Sequence, residues 1–181
     1  MNQTVTLTRS CTATIIPAGD EINLAEGATY SIAQSLGGSV TLRDASGMYR
    51  VGESELDALG EEIKKEVLKS KDDGKDTGPF SEKKVWDAMR GCYDPEIPVN
   101  IVDLGLIYDL KIEDGDSGKQ VGVKMTLTAQ GCGMGPVIAD DAKQRILALS
   151  EVETADVDIV WDPPWNPRMI SEEGKKVLGL E

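Results

Sequence analysis

The run Ser70-Lys71-Asp72-Asp73-Gly74-Lys75-Asp76-Thr77-Gly78-Pro79 contains no apolar residue. Such a run cannot bury enough surface to offset the entropy of ordering it, and it reads as a linker. The linker divides the chain into parts of different character. Residues 1–52 read as a small β-rich module, residues 53–80 as a helix followed by the polar linker, and residues 81–181 as a second domain.

In the first part, Thr4-Val5-Thr6-Leu7-Thr8 alternates with period two, which puts Val5 and Leu7 on one face of a strand. Ala13-Thr14-Ile15-Ile16 stops at the turn cluster Pro17-Ala18-Gly19-Asp20. Further short strands follow at Ala28–Ile32, Ser39–Arg43 and Met48–Val51. Closely spaced strands with turn signals between them predict a small barrel or sandwich. Leu56, Leu59, Ile63 and Val67–Leu68 then fall at helical spacing, predicting one helix over residues 53–69, interrupted by Gly60.

The second part opens with an N-cap candidate, Ser81, before a helix that carries Val85, Met89 and Cys92 along one side. Asp94-Pro95-Glu96-Ile97-Pro98 ends it, because proline cannot continue a helix. Leu106–Ile112 and Val121–Thr128 read as a hairpin around Asp114-Gly115-Asp116-Ser117-Gly118. A helix from Pro136 to about Leu149 carries Ile138, Ala142, Ile146 and Leu149 as its core stripe. Val152–Val160 alternates as a third strand, and a last helix runs from Ser171 to Leu178. The order α, β, β, α, β, α predicts an α+β domain with helices over one face of a three-stranded sheet.

Composition excludes several classes of function. The net charge of -13, from 19 Lys+Arg against 32 Asp+Glu, disfavours nucleic acid and anionic membranes as partners. No histidine is present, which removes the commonest general base and every Ser/His/Asp or Cys/His nucleophile arrangement. With no complete catalytic constellation, the chain reads as a non-enzyme. Cys11, Cys92 and Cys132 are widely spaced and form no C-x-x-C, so one chain holds no self-contained four-cysteine metal or cluster site. Three unpaired cysteines suit a reducing cytoplasm. The N-terminal residues show no signal peptide, and no apolar run approaches a membrane span.

The stretch from Thr126 to Pro136 holds Cys132 among Gly131, Gly133 and Gly135, between a strand and a helix. Glycines allow main-chain N–H groups to turn toward one point, and the following helix N-terminus adds partial positive charge. Both favour a thiolate, so Cys132 reads as a reactive or metal-binding thiol. The alternative is a tight turn around a small buried hydrophobe. Asp94 and Glu96 offer oxygen ligands or acceptors if their loop converges on Cys132; otherwise they are solvated acids at a helix end. Thr126 and Thr128 share a face on the predicted strand, and Thr128, the nearer to the loop, can donate to a thiolate or a cluster sulfur. Cys92 reads as core, and Cys11 has no assigned role. Trp161 and Trp165 flank a proline-rich loop that can serve packing or an interface.

Three stretches carry a family resemblance: Tyr93-Asp94-Pro95-Glu96-Ile97-Pro98 running on to Asp103-Leu104-Gly105-Leu106-Ile107-Tyr108-Asp109; Met125-Thr126-Leu127-Thr128-Ala129-Gln130-Gly131-Cys132; and Val160-Trp161-Asp162-Pro163-Pro164-Trp165. Together they resemble the metal–sulfur cluster biosynthesis domain of PaaD-type and SufT-type proteins, over residues 81–181. A preceding β module resembles the SufT-type iron–sulfur cluster assembly members in particular. The resemblance implies a maturation factor that transiently binds iron or an Fe–S cluster and helps deliver it to apoproteins. It implies metal binding at Cys132, with Asp94, Glu96 and Thr128 in the same pocket. Its partners would be Fe–S scaffold or carrier proteins and apo recipients. An adaptor that docks this machinery to its targets without metal is the alternative. Two departures stand out: Gln130-Gly131-Cys132-Gly133 lacks the prolines of the common Pro-Gly-Cys-Pro, and Cys92 has no family counterpart. One thiol cannot fill a site that takes four cysteinates, so a cluster must be shared with a second subunit (a homodimer), another partner or a small thiol.

Overall fold

The structure is a computed structural model that describes residues 3–71, 78–131 and 133–180. Two compact units make up the chain, Met1–Lys75 and Asp76–Glu181. Both mix strands with helical segments.

The first unit contains β1 (Thr4–Thr6), β2 (Cys11–Ile16), β3 (Glu21–Leu24), β4 (Thr29–Leu36), β5 (Ser39–Arg43) and β6 (Met48–Val51). They pair antiparallel in the order β1-β4-β5-β6-β2-β3. That order forces curvature. In a flat sheet β1 and β2 would stand four strand spacings apart, about 19 Å. The link from Thr6 to Cys11 reaches at most about 18 Å even when fully extended. The sheet therefore curls around an interior that includes Val5, Leu7, Val40, Leu42 and Val51.

Leu56, Ala58, Leu59 and Val67 join that same interior. The helical segment set apart with the linker in the sequence thus packs within the first unit. It is not one helix. A 3-10 segment, Glu53–Leu59, precedes α1 (Glu61–Lys71), and Gly60 turns between them at φ 98°. Gly60 takes a positive φ there, and its N–H donates to Asp57 O at 3.1 Å, which closes the 3-10 turn before α1 begins. Arg9 anchors the 3-10 segment. Its Nε and Nη2 donate to the two Asp57 carboxylate oxygens at 2.8 and 2.7 Å, and Nη1 donates to Glu55 at 3.0 Å. The guanidinium holds the Asp57 carboxyl below its usual range.

The second unit contains α2 (Glu82–Arg90), β7 (Ile107–Asp114), β8 (Lys119–Met125), α3 (Gly135–Leu147), β9 (Val152–Ile159) and α4 (Glu172–Leu178). Its sheet runs β7-β8-β9. The β7–β8 pair is an antiparallel hairpin, and β8–β9 are parallel, joined through α3. Parallel neighbours need such a crossover. Val121, Val123 and Met125 of β8 are buried, while Lys124 between them is exposed. One sheet face is therefore apolar, and α3 lies along β9 with Ile138, Ala142 and Ile146 buried. α2 packs beside α3.

Boundaries differ from the sequence reading at several element ends, and three of the differences bear on the site. α2 stops at Arg90 with Gly91 as its C-cap, so Cys92 lies beyond the helix. α3 begins one residue early, with Met134 as N-cap and Pro136 inside the first turn. β8 ends at Met125, so Thr126 and Thr128 are not on a strand face. There the ladder gives way to the two contacts described next.

Candidate functional site

Parallel strands point their carboxyl ends the same way, and an antiparallel neighbour starts where they finish. The end of β8, the end of β9 and the start of β7 therefore share one edge of the sheet. Thr126 N–H donates to Leu106 O at 2.8 Å, and Val160 N–H donates to Met125 O at 2.7 Å. Residues 103–109, 125–131 and 160–165 all enter or leave the sheet at this edge. The carboxyl end of parallel strands is the usual place for a site in open sheets containing βαβ units.

The first of these segments is pinned from several sides. Asn100 Nδ2 donates to Asp103 Oδ2 at 2.7 Å, and Asp103 N–H donates to Asn100 Oδ1 at 2.9 Å. Ser171, the N-cap of α4, donates from Oγ to Asp103 Oδ1 at 2.8 Å and from N–H to Asp103 O at 2.7 Å. Gly105 turns at φ 74°, and a Cβ there would stand 2.2 Å from Met169 O. Only glycine fits. Trp165 Nε1–H donates to Leu104 O at 2.7 Å, and the Tyr108 hydroxyl donates to Pro163 O at 2.7 Å. Asp103 is thus a structural hub. Its role went unassigned in the sequence, where only its place in a motif is visible.

Asp94 follows the end of α2. It is buried, at 7% exposure, and its Oδ1 accepts the Glu96 N–H at 2.9 Å. The Ile97 N–H donates to it as well. Burial nevertheless pushes the Asp94 pKa up, against both hydrogen bonds. Glu96 is exposed. The turn therefore does not make the two carboxylates a matched pair: one is buried and holds the turn, the other meets solvent. The loop closes through a bridge between Tyr93 and Asn100 and through Ile101 N–H donating to Cys92 O at 2.9 Å. Cys92 is fully buried, and its thiol donates to Ile138 O at 3.7 Å. The start of the Asp94 loop thus lies against the first turns of α3, the helix that follows Cys132 in the chain.

Cys132 itself lies outside the described residues. On one side of it, Gly131 turns at φ 81°, a conformation that favours glycine. On the other, Gly135 packs so closely that a Cβ would meet Leu127 Cδ1 at 2.6 Å and Ile159 Cδ1 at 3.2 Å. Thr128 is half-buried. Thr126 is 1% exposed, and its Oγ1 has no hydrogen-bond partner among the described residues. The sequence pointed to Thr128 rather than Thr126. The available signal was Thr126's place between two apolar neighbours at a strand end. Among the described residues no three His, Cys, Asp or Glu side chains gather as a metal site, and Cys11 and Cys92 are both buried. Burial pushes the Cys11 thiol pKa up. No described helix is long and apolar enough to cross a membrane.

A sequence profile of the family described as "Iron-sulfur cluster assembly protein" matches residues 82–158. The chain is 39% identical over 97 residues to the Fe-S protein maturation auxiliary factor YitW of Bacillus subtilis (strain 168). That match takes in 54% of this chain and 92% of the relative. It is 41% identical over 87 residues to the Fe-S protein maturation auxiliary factor SufT of Staphylococcus aureus (strain USA300), covering 48% of this chain and 96% of the relative. A crystal structure of a domain of unknown function, DUF59, from Bacillus anthracis is 35% identical. It superposes with a TM-score of 0.49, over 55% of this chain and 92% of that one.

Proposed function

This chain belongs to the iron–sulfur cluster assembly protein family, and from that premise we propose that it is an auxiliary maturation factor that transiently holds iron or a cluster and passes it to apoproteins. In this reading the cargo is a substrate, Cys132 is its thiolate ligand, and Asp94, Glu96 and Thr128 stand around it. The observation that carries the reading is the convergence of the three motif segments on one sheet edge.

The donor chemistry fits delivery better than storage. A single thiolate leaves most of an iron–sulfur coordination sphere to other groups. Cargo so held can leave by exchange with a recipient's cysteines. Asp94 can donate a hydrogen bond to an incoming anionic group when it carries its proton, the form that burial favours. Turnover of a substrate is not part of the reading, and the place of action is the cytoplasm. The partners are Fe–S carriers or scaffolds and apo recipients, with a second copy of this chain as one way to complete the ligand set.

The direct test is hand-over. Anaerobically reconstituted protein should convert an apo-ferredoxin to its holo form, and Cys132→Ser should abolish that conversion while leaving the circular dichroism spectrum intact. Conversion at the wild-type rate by Cys132→Ser would remove the proposal.

A second reading, as a metal-free adaptor, draws on the exposed indole of Trp161, 40% accessible. Trp165 is less suited to that role, since its N–H is committed to Leu104. Under the adaptor reading Trp161→Ala loses partner capture and Cys132→Ser changes nothing.

A further inference from the structure

We propose that the Thr126 hydroxyl is kept without a partner among the described residues so that it can donate to an anionic sulfur at the edge of the sheet. The inference rests on the iron–sulfur reading above and names a group that reading does not use.

A hydroxyl sealed from water and left unpaired lowers stability relative to an apolar group of the same shape. Valine is that group, and it suits extended backbone equally well. A position that served packing alone would be better filled by valine. Thr126 is 1% exposed, and its Oγ1 finds no acceptor among the described residues. Its main-chain N–H is already committed, donating to Leu106 O at 2.8 Å. The residue is therefore held in place while its hydroxyl stays idle. Thr128 differs, because it is half-buried and solvent can satisfy it.

Position supplies the ligand class. Thr126 stands at the root of the loop that leads to Cys132, beside the Asp103–Leu106 segment and next to the Met125–Val160 contact. The groups that the proposed function brings to this edge are a cysteine thiolate and the sulfides of the cargo. Both are anionic sulfur, both accept hydrogen bonds, and such bonds tune sulfur-bound iron. Away from water, one O–H donor to a charged acceptor is worth more than at the surface.

The test uses the full chain with Thr126→Val, Thr126→Ser and Cys132→Ser. Thr126→Val should raise the unfolding midpoint of the apo protein by about 4 °C, as removal of an unpaired hydroxyl predicts. The same variant, reconstituted without oxygen, should lose its cluster to a chelator about tenfold faster, the value of one hydrogen bond to a charged group. Thr126→Ser, which keeps the hydroxyl, should hold its cluster as the wild type does. Iodoacetamide reports on Cys132 alone, because Cys11 and Cys92 are buried. Unchanged alkylation of apo Thr126→Val with faster cluster loss supports an acceptor that arrives with the cargo; slower alkylation means that the thiolate already holds the hydroxyl in the empty protein, and overturns the proposal. The proposal is overturned if Thr126→Val lowers the midpoint, which means a structural partner. It is overturned equally if both cluster retention and alkylation stay at wild-type values, which means a buried water suffices. Cluster uptake by Cys132→Ser at the wild-type level removes the underlying reading instead. Uptake lost in Cys132→Ser but unaltered retention and alkylation in Thr126→Val removes this inference alone.

Discussion

The two units treat buried polarity differently. Among the described residues three polar or charged side chains are buried: Thr41 in the first unit, and Asp94 and Thr126 in the second. Thr41 sits inside a paired strand and has an interaction partner. Asp94 is buried with its pKa pushed up, and Thr126 keeps an idle hydroxyl. The first unit places its strongest polar contacts nearer the surface, as in the Arg9 clamp on Glu55 and Asp57. The second unit carries its unfavourable groups within the motif segments, where a ligand can offset their cost. Local departures from good packing chemistry concentrate where function does.

The largest expected effect tests whether the pinned edge of the second unit is structural. Gly105→Ala places a methyl group against the Met169 carbonyl at a positive φ. It should cost about 4 kcal/mol in urea unfolding, beyond the ordinary range for one substitution. A cost below about 1 kcal/mol would mean that the Met169 segment yields freely. Next comes a core deletion in the first unit. Leu42→Ala, at a fully buried position, should cost about 3 kcal/mol. Cluster uptake per folded molecule should persist, and its loss would tie the β module to the site. Asp103→Ala should cost about 2 kcal/mol, because it strands the Asn100 amide and the Ser171 hydroxyl. An effect near zero would remove its role as a hub.

The smallest effect sharpens the contrast most. Asp94 has its folded pKa raised, so the folded state keeps a proton at pH values where the unfolded chain has released it. Its contribution to stability is complete below the ordinary carboxylate range and falls as pH rises through the raised value. Asp94→Asn keeps an oxygen for the Glu96 and Ile97 N–H groups without the buried charge. It should change stability at neutral pH by less than about 1 kcal/mol and abolish that fall. An unaltered pH profile would place the raised titration elsewhere.

Period and turn chemistry made much of this fold legible. Val5 and Leu7 alternate in the sequence and both are buried; Ile138, Ala142 and Ile146 fall at helical spacing and all three are core. Ser81 and Ser171 cap their helices, each with its hydroxyl oxygen accepting a main-chain N–H. Gly60 reads in the sequence as a costly interruption of one helix, and the structure places it at a positive φ between two helical segments. What stayed hidden depends on contacts distant in the chain. Thr126 reads as an ordinary strand residue until Leu106 and Val160 are seen beside it. Asp94 and Glu96 look equivalent two residues apart, and only the turn buries one and exposes the other.

Iron and acid-labile sulfide, measured per chain on protein reconstituted without oxygen, decide whether Cys132 holds the cargo. Both elements should be found on the wild type and neither on Cys132→Ser, with identical folding of the two. Equal iron and sulfide on both proteins would contradict that role of Cys132.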